Sequence, residues 1–306
     1  MSIPKLEFPP FHLPAEAEAL RVEVRQFLKE TIPTVKTEDR FPSWNTHSPE
    51  FSRKMGARGF IGVTWPKQYG GHERSFLDRF VITEELLGNS APAGAHWVAD
   101  RQSGPVLLRF GSEEQRQAIL PRIVKGECYF SIGMSEPDSG SDLASVRTRA
   151  EPVPGGFRVN GTKVWTSGAH RNHYCITLVR TSGQHGDRHK GLSQLLVDLK
   201  TPGVTIRPII NLAGRHDWNE VTFSDAFIPE SCLIGNEGDG WLQVTSELAY
   251  ERSGPERFLQ NFHVLRELVR VIGRQPGRRA ASVTGRLVAR LWTLRQMSLS
   301  VAGMMQ

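Results

Sequence analysis

The sequence has 306 residues, 39% of them apolar and 23% charged, with a net charge of +6 at neutral pH. That length accommodates two or three domains with a sizeable core, and the composition fits a soluble globular protein. No uncharged apolar run reaches the 18 residues a membrane span needs, and the three cysteines form no CxxC pair, which argues against a transmembrane chain, a disulfide framework and a zinc site.

The opening stretch, MSIPKLEFPPFHLP, has neither an apolar h-region nor a small-residue cleavage site, so it does not read as a secretory signal. A cytoplasmic protein with reduced core thiols at Cys128, Cys175 and Cys232 is expected. Residues 15 to 127 then read as helical. AEAEALRVEVRQFLKETI has apolar positions at helical spacing and is ended by Pro33. SFLDRFVITEELLGN and SGPVLLRFG continue the pattern, and SEEQRQAILPRIVKG is opened by Ser112 as an N-cap. The turn-rich stretch GVTWPKQYGGHERS reads as a long loop.

From Tyr129 to about Gly235 the period changes to that of strands. YFSIGMS comes first. FRV-NG-TKVW reads as a hairpin turning at Asn160-Gly161. HYCITLVRT, LSQLLVDL, GVTIRPI and EVTFSDAFIP follow, and many short, evenly spaced strands predict a barrel or sandwich. Helix returns after Gly240. WLQVTSELAYERSG and RFLQNFHVLRELVRVIG read as one long helix bent at Pro255, which cannot donate to the carbonyl of Glu251. GRLVARLWTLRQMSLSVAGMMQ is a further helix. Its apolar stripe through Leu287, Val288, Leu291, Leu294, Val301 and Met304 needs a partner chain or further helices to cover it. After Glu256 there are nine Arg and one Glu, Glu267. The arginines are spread at helical intervals rather than bunched with aromatics, so a solvated face or a surface toward a phosphate-bearing ligand is expected rather than nucleic acid.

Three stretches carry the chemistry. SIGMSEPDSGSD places Gly133 inside a strand, where something flat or bulky approaches the backbone. It then sets a hard turn at Pro137, with Ser135 and Ser141 beside free N–H groups. This is either a cradle for a polar ring edge and a pyrophosphate or an ordinary solvated turn. GTKVWTSGA puts Trp165 at a strand end before Thr166 and Ser167, either as a stacking platform or as a core residue. SELAYERSGPERF offers Glu251, beside Tyr250 and ahead of Pro255, as a general base, while Glu247 and Glu256 read as surface glutamates. GxGxxG, Walker A and HExxH are absent. His170 with His173, and His185 with His189, lack matched carboxylates or cysteines, so no metal is expected.

Together these stretches resemble the acyl-CoA dehydrogenase family. SEPDSGSD matches its Thr/Ser-Glu-Pro-x-x-Gly-Ser-Asp flavin motif, and NGTKVWTSGA its Asn-Gly-x-Lys-x-Trp-x-Ser/Thr segment. FGSEEQRQAILPRIVKGE and LIGNEGDGW resemble its corresponding helix and strand-to-helix joint. The resemblance implies an α+β multidomain fold: an N-terminal helical domain (1–127), a middle β-barrel or sandwich domain (128–235) and the start of a C-terminal helical bundle (236–306), incomplete here. It implies FAD as cofactor, held by Ile132, Gly133, Met134, Ser135, Ser141, Trp165, Thr166 and Ser167. Substrate contacts are expected at Ser141, Tyr250 and Arg252. Glu251-Arg252 matches the base position of the isovaleryl-CoA dehydrogenases. The implied activity is α,β-dehydrogenation of an acyl-CoA by a homodimer or homotetramer, with an electron-transferring flavoprotein as acceptor. An oxidase or monooxygenase on the same fold, a non-catalytic partner subunit and an inactive fragment are the alternatives.

Overall fold

Ala17, Leu20, Val24, Phe27 and Leu28 recur every three or four positions and form the buried face of helix α1 (Ala15–Thr31). The computed structural model describes residues 7–34, 43–183, 185–251 and 254–306 of the chain. Among the described residues the further α-helices are α2 (Pro49–Ala57), α3 (Phe76–Gly88), α4 (Gly94–Val98), α5 (Gly104–Phe110), α6 (Glu113–Val124), α7 (Gly240–Glu251), α8 (Glu256–Leu259), α9 (Phe262–Ile272) and α10 (Arg278–Met304). Eight strands lie between α6 and α7: β1 (Phe130–Gly133), β2 (Arg149–Val153), β3 (Gly156–Lys163), β4 (Tyr174–Arg180), β5 (Leu192–Asp198), β6 (Val204–Ile210), β7 (His216–Pro229) and β8 (Leu233–Ile234). Capping boxes start two of the helices. Ser75 and Asp78 exchange side-chain and backbone bonds at α3, as do Ser112 and Gln115 at α6. Among the described residues no helix is long and apolar enough to cross a membrane.

The described residues group into two units, one from within 1–51, 62–94 and 252–306, the other from within 52–61 and 95–251. In the first, Ala17, Leu77, Phe80, Val81 and Leu299 form a core to which the C-terminal half of α10 contributes. Gly303 lies against Phe11 so closely that a Cβ there would enter the ring. The part of α10 before Arg295 is different. Leu287, Val288, Trp292 and Leu294 are exposed, and α1, α3 and α8–α10 leave an open groove of about 1250 Å³ between them. Its wall carries an ion-pair network in which Arg21 meets Glu85 at 2.6 Å and Arg295 meets Glu84 at 2.5 Å.

The expected single bent helix after Trp241 is instead broken. α7 ends at Glu251, and Pro255 stands at the N-cap of α8, where its missing N–H has no intrahelical bond to make. Asn261 then opens α9. Glu247 and Glu256, expected at the surface, are both buried. Glu247 shares the inward stripe of α7 with Gly240, Gln243 and Val244, because α7 packs on β5 rather than standing in solvent.

The second unit holds the sheet, in the order β6-β7-β3-β2-β4-β5-β8, with β1 also on β4. One core draws on β2 to β5 and β7, with Val159, Cys175, Val179, Leu195, Val221 and Phe223 buried together. The pairing is mostly antiparallel, but β1 and β2 both run parallel to β4. β5 takes one edge of β4, so β1 (against Tyr174–Thr177) and β2 (at Arg180) share the other edge in succession. The chain between them, residues 134–148, has no place in the sheet and must bulge out of it.

The expected hairpin at Asn160-Gly161 is corrected by this topology. β3 runs straight through both residues, and the real β2–β3 turn is at Pro154-Gly155, where Gly155 has φ 79°. Asn160 serves a β-bulge instead. Its side-chain oxygen accepts from Asp225 N (2.9 Å) and its amide donates to Asp225 Oδ1 (3.0 Å), holding Asp225 at φ 50°. Gly161 is needed because a Cβ there would stand 2.6 Å from Thr148 Oγ1.

Candidate functional site

The bulged segment 134–148 is a strap closed around one buried carboxylate. Glu136 accepts from Arg147 N (2.7 Å), Thr148 N (2.9 Å) and Lys163 Nζ (2.8 Å). Lys163 also donates to Met134 O (3.0 Å), so strand β3 anchors the start of the strap and Glu136 ties that anchor to its end at Arg147 and Thr148. Burial alone would raise the Glu136 carboxyl; the Lys163 ammonium and the hydrogen bonds from residues 147 and 148 outweigh it and hold the group below its ordinary range, while burial lowers the Lys163 ammonium. Within the strap, Glu136 and Ser139 bridge through their backbones, and Ser145 Oγ donates to Asp142 O (2.7 Å).

The two segments singled out in the sequence lie side by side. Val164 N donates to Ser135 O (2.9 Å), and Ser131 Oγ donates to Ser167 O (2.8 Å). Ile132 and Met134 are half-buried on the outward face of β1 and its extension. Gly133 faces the other way. A Cβ on it would meet Cys175 Sγ at 3.0 Å and Thr177 Oγ1 at 3.3 Å, so the glycine answers a crowded interior as well as any ligand. Trp165 stands 59% exposed at φ 60°, resting edge-on against Trp218 with 6.0 Å between ring centroids. Thr166 is buried, with its backbone N–H and carbonyl both bonded to Asn219, whereas Ser167 is exposed. Ser141 is exposed at the far side of the strap. Arg252 and the side chains of Tyr250 and Glu251 lie outside the described residues; the backbone of Tyr250 and Glu251 ends α7.

Sequence reasoning missed the residues that hold this surface in shape. Lys163 was legible in principle: it falls on the inward parity of Phe157 and Val159, and a lysine there needs a buried acid. Asn219 had no such signal, yet its side chain donates to Thr166 O (2.9 Å) and accepts from both His170 and His216, whose rings stack at 3.6 Å.

The exposed groups have the chemistry of a site for a flat, phosphate-bearing ligand. Among the described residues the Ser135 hydroxyl and the N–H groups of Ser135, Gly140 and Ser141 have no protein partner. Nothing lies within 4 Å of where a Cβ on Gly140 would stand, so the chain itself does not need that glycine, and a ligand can come close there. The exposed indole of Trp165 follows Val164, whose N–H bonds to Ser135 O.

Residues 14–127 match the model of the acyl-CoA dehydrogenase N-terminal domain, and residues 131–226 match that of the middle domain. The chain belongs to the acyl-CoA dehydrogenase family, whose members are FAD-binding oxidoreductases. It is similar to the acyl-CoA dehydrogenase FadE29 of Mycobacterium tuberculosis, with 38% identity over 78% of this chain. It spans 62% of that relative's length. Among solved structures, the ChsE4-ChsE5 complex from Mycobacterium tuberculosis superimposes with a TM-score of 0.83 at 29% identity, over 97% of this chain and 78% of that one. The FAD complex of PigA gives 0.78 at 25% identity, over 96% and 80%. The free N–H groups, the hydroxyl of Ser135 and the exposed Trp165 fit the ring and pyrophosphate of FAD.

Proposed function

We propose that this chain is the flavin-carrying part of an enzyme that introduces an α,β double bond into an acyl-CoA thioester. It would comprise an N-terminal helical domain (1–127), a middle domain with the flavin site (128–235) and part of a helical bundle (236–306). The observation that carries the reading is the pairing of the donor-rich strap with the exposed indole, in a chain of this family. Ile132 to Ser135 would line the ring, with the Ser135 hydroxyl at its polar edge. Ser141 would meet the pyrophosphate and the thioester chain, and Trp165 to Ser167 would cover the neighbouring side.

FAD, when bound, supplies the acceptor for the hydride leaving the substrate β-carbon. The chain supplies the base. Glu251, the last residue of α7, would take the α-proton onto its carboxylate as the α,β π-bond forms, and its sequence neighbours Tyr250 and Arg252 would contact the substrate. Excluding water strengthens every charge interaction in that step. An electron-transferring flavoprotein is the proposed acceptor from the reduced protein. A homodimer or homotetramer is the proposed assembly; pairing with a second, different chain is the alternative, favoured by likeness to the two-chain ChsE4-ChsE5 complex.

The test is anaerobic flavin bleaching by acyl-CoA in the purified protein and in Glu251→Gln. The variant should hold flavin normally and bleach at least about 10²-fold more slowly. Bleaching at the wild-type rate would remove Glu251 from the role. A wild-type protein that takes up no flavin would overturn the whole reading.

A further inference from the structure

Arg180 ends β4 and is buried, yet it has no carboxylate among its hydrogen-bond partners. Its four side-chain hydrogen bonds all go to backbone carbonyls, and these belong to two separate loops. Nη2 reaches Ala144 O (3.2 Å) and Nε reaches Val146 O (3.4 Å), both in the strap. Nη1 reaches Lys190 O (2.8 Å), and Nη2 also reaches Arg188 O (3.1 Å), both in the β4–β5 loop. A guanidinium is the one side chain that can do this, because its five donors lie in a rigid plane that can serve several acceptors at once. A lysine would offer the charge from a single point.

Two more contacts join the same loops to each other and to α7. Arg188 meets the Asp142 carboxylate at 2.7 Å across the surface. The His189 ring stacks on Trp241, at the start of α7, with centroids 4.0 Å apart. The β4–β5 loop is thus fastened to the strap that carries Ser141 and to the helix that ends at Glu251. Each carbonyl turned toward Arg180 also directs the N–H of the same peptide, on the following residue, away from it, since the trans peptide unit is planar. The N–H groups of His189 and Gly191 accordingly have no backbone acceptor among the described residues.

We propose that Arg180 is a positioning residue for flavin binding: it clamps the strap and the β4–β5 loop into one unit, so that the strap's free donors keep the spacing a pyrophosphate needs. The proposal rests on the flavin reading above. It adds a residue that never touches the ligand and that none of the sequence motifs singled out.

The experiment titrates FAD into the full protein and into Arg180→Gln, Arg180→Lys and Leu195→Ala, following flavin fluorescence. Leu195 is a buried core residue away from the clamp and controls for lost stability. Arg180→Gln should weaken FAD by about tenfold or more. Arg180→Lys should stay weakened several-fold, because it keeps the charge but loses the fork. Leu195→Ala should bind as wild type does while melting lower. A weakening below about threefold in folded Arg180→Gln, or full recovery in Arg180→Lys, overturns the clamp while leaving the flavin reading intact. A wild-type protein that binds no FAD overturns both. If Arg180→Gln does not fold, hydrogen exchange of the wild-type protein decides. Residues 144–148 and 188–191 should gain protection together on adding FAD, and protection confined to the strap overturns the proposal.

Discussion

Replacing Lys163 with methionine keeps most of its volume and removes the ammonium that closes the strap. The lysine makes two bonds there, to Glu136 Oε1 and to Met134 O. Without it the Glu136 carboxylate stays buried and retains only the N–H groups of Arg147 and Thr148. Breaking a buried pair from one side costs about 3–5 kcal/mol, and the two surviving donors place this case near the lower end, about 3 kcal/mol. In a protein of this size that lowers the melting temperature by roughly 5 °C. The double variant Lys163→Met/Glu136→Gln removes the stranded charge and should recover at least half of the loss. Acid provides a second signature. A carboxyl held below its unfolded value, about 4.5, stabilises the fold above that pH, and this is lost as pH falls through the lower folded value. Once Lys163 is gone, burial pushes the carboxyl up instead, so the variant's deficit should begin to shrink as pH falls through that raised value, above about 4.5, and shrink further below about 4.5 as the wild type loses its own stabilisation. Urea unfolding of the four proteins of the cycle, at pH 7 and pH 4, measures all of this. A loss under about 1 kcal/mol in Lys163→Met, or a deficit that does not change with pH, would refute the keystone role.

A second prediction concerns His96, which is buried with Nδ1 2.8 Å from Ser52 Oγ and is pushed by burial down to about 4 from 6.5. It is neutral in the fold, so stability should fall as pH drops below 6.5, by roughly 3 kcal/mol near pH 4; His96→Gln should flatten that slope, and an unchanged slope would assign the acid sensitivity elsewhere. A third compares two glycines of the site: Gly161→Ala should cost about 1–3 kcal/mol through its clash with Thr148, whereas Gly140→Ala, with open space around its Cβ position, should unfold within about 0.5 kcal/mol of wild type. Equal urea midpoints for the two would contradict the packing described at the β3 bulge.

Much of the fold was legible because its signals are local. Ser75 and Ser112 announce their helices by capping chemistry confined to four residues, and α1 announces its inward face by spacing alone. The strands from Phe130 to Pro229 were found by their period of two. What escaped notice depends on partners distant in sequence. Asn160-Gly161 carries the local signature of a turn, but β7 and the end of the strap claim it for a bulge. Glu247 reads as a surface residue until α7 is laid on β5. The same holds at the site. Ser135, Ser141 and Trp165 could be singled out from their own motifs, while Lys163, Arg180 and Asn219 matter only through bonds to segments far along the chain.

The sharing of one edge of β4 by β1 and β2 also bears on how the chain reaches its fold. Parallel pairing cannot be made by a tight turn, so β1 must wait until β4 has been synthesised and brought back beside it. The β3–β7 pairing likewise joins Lys163 to Val221 across most of the β segment. Such non-local contacts are slow to form, since loop-closure entropy is spent before they return anything. The strap cannot close until both β1 and β2 are seated, which makes it a late event on the folding path. Changes in the strap should therefore leave the refolding rate almost untouched and appear as faster unfolding. The lifetime of the native state, rather than the speed of reaching it, is what Glu136 and its partners govern.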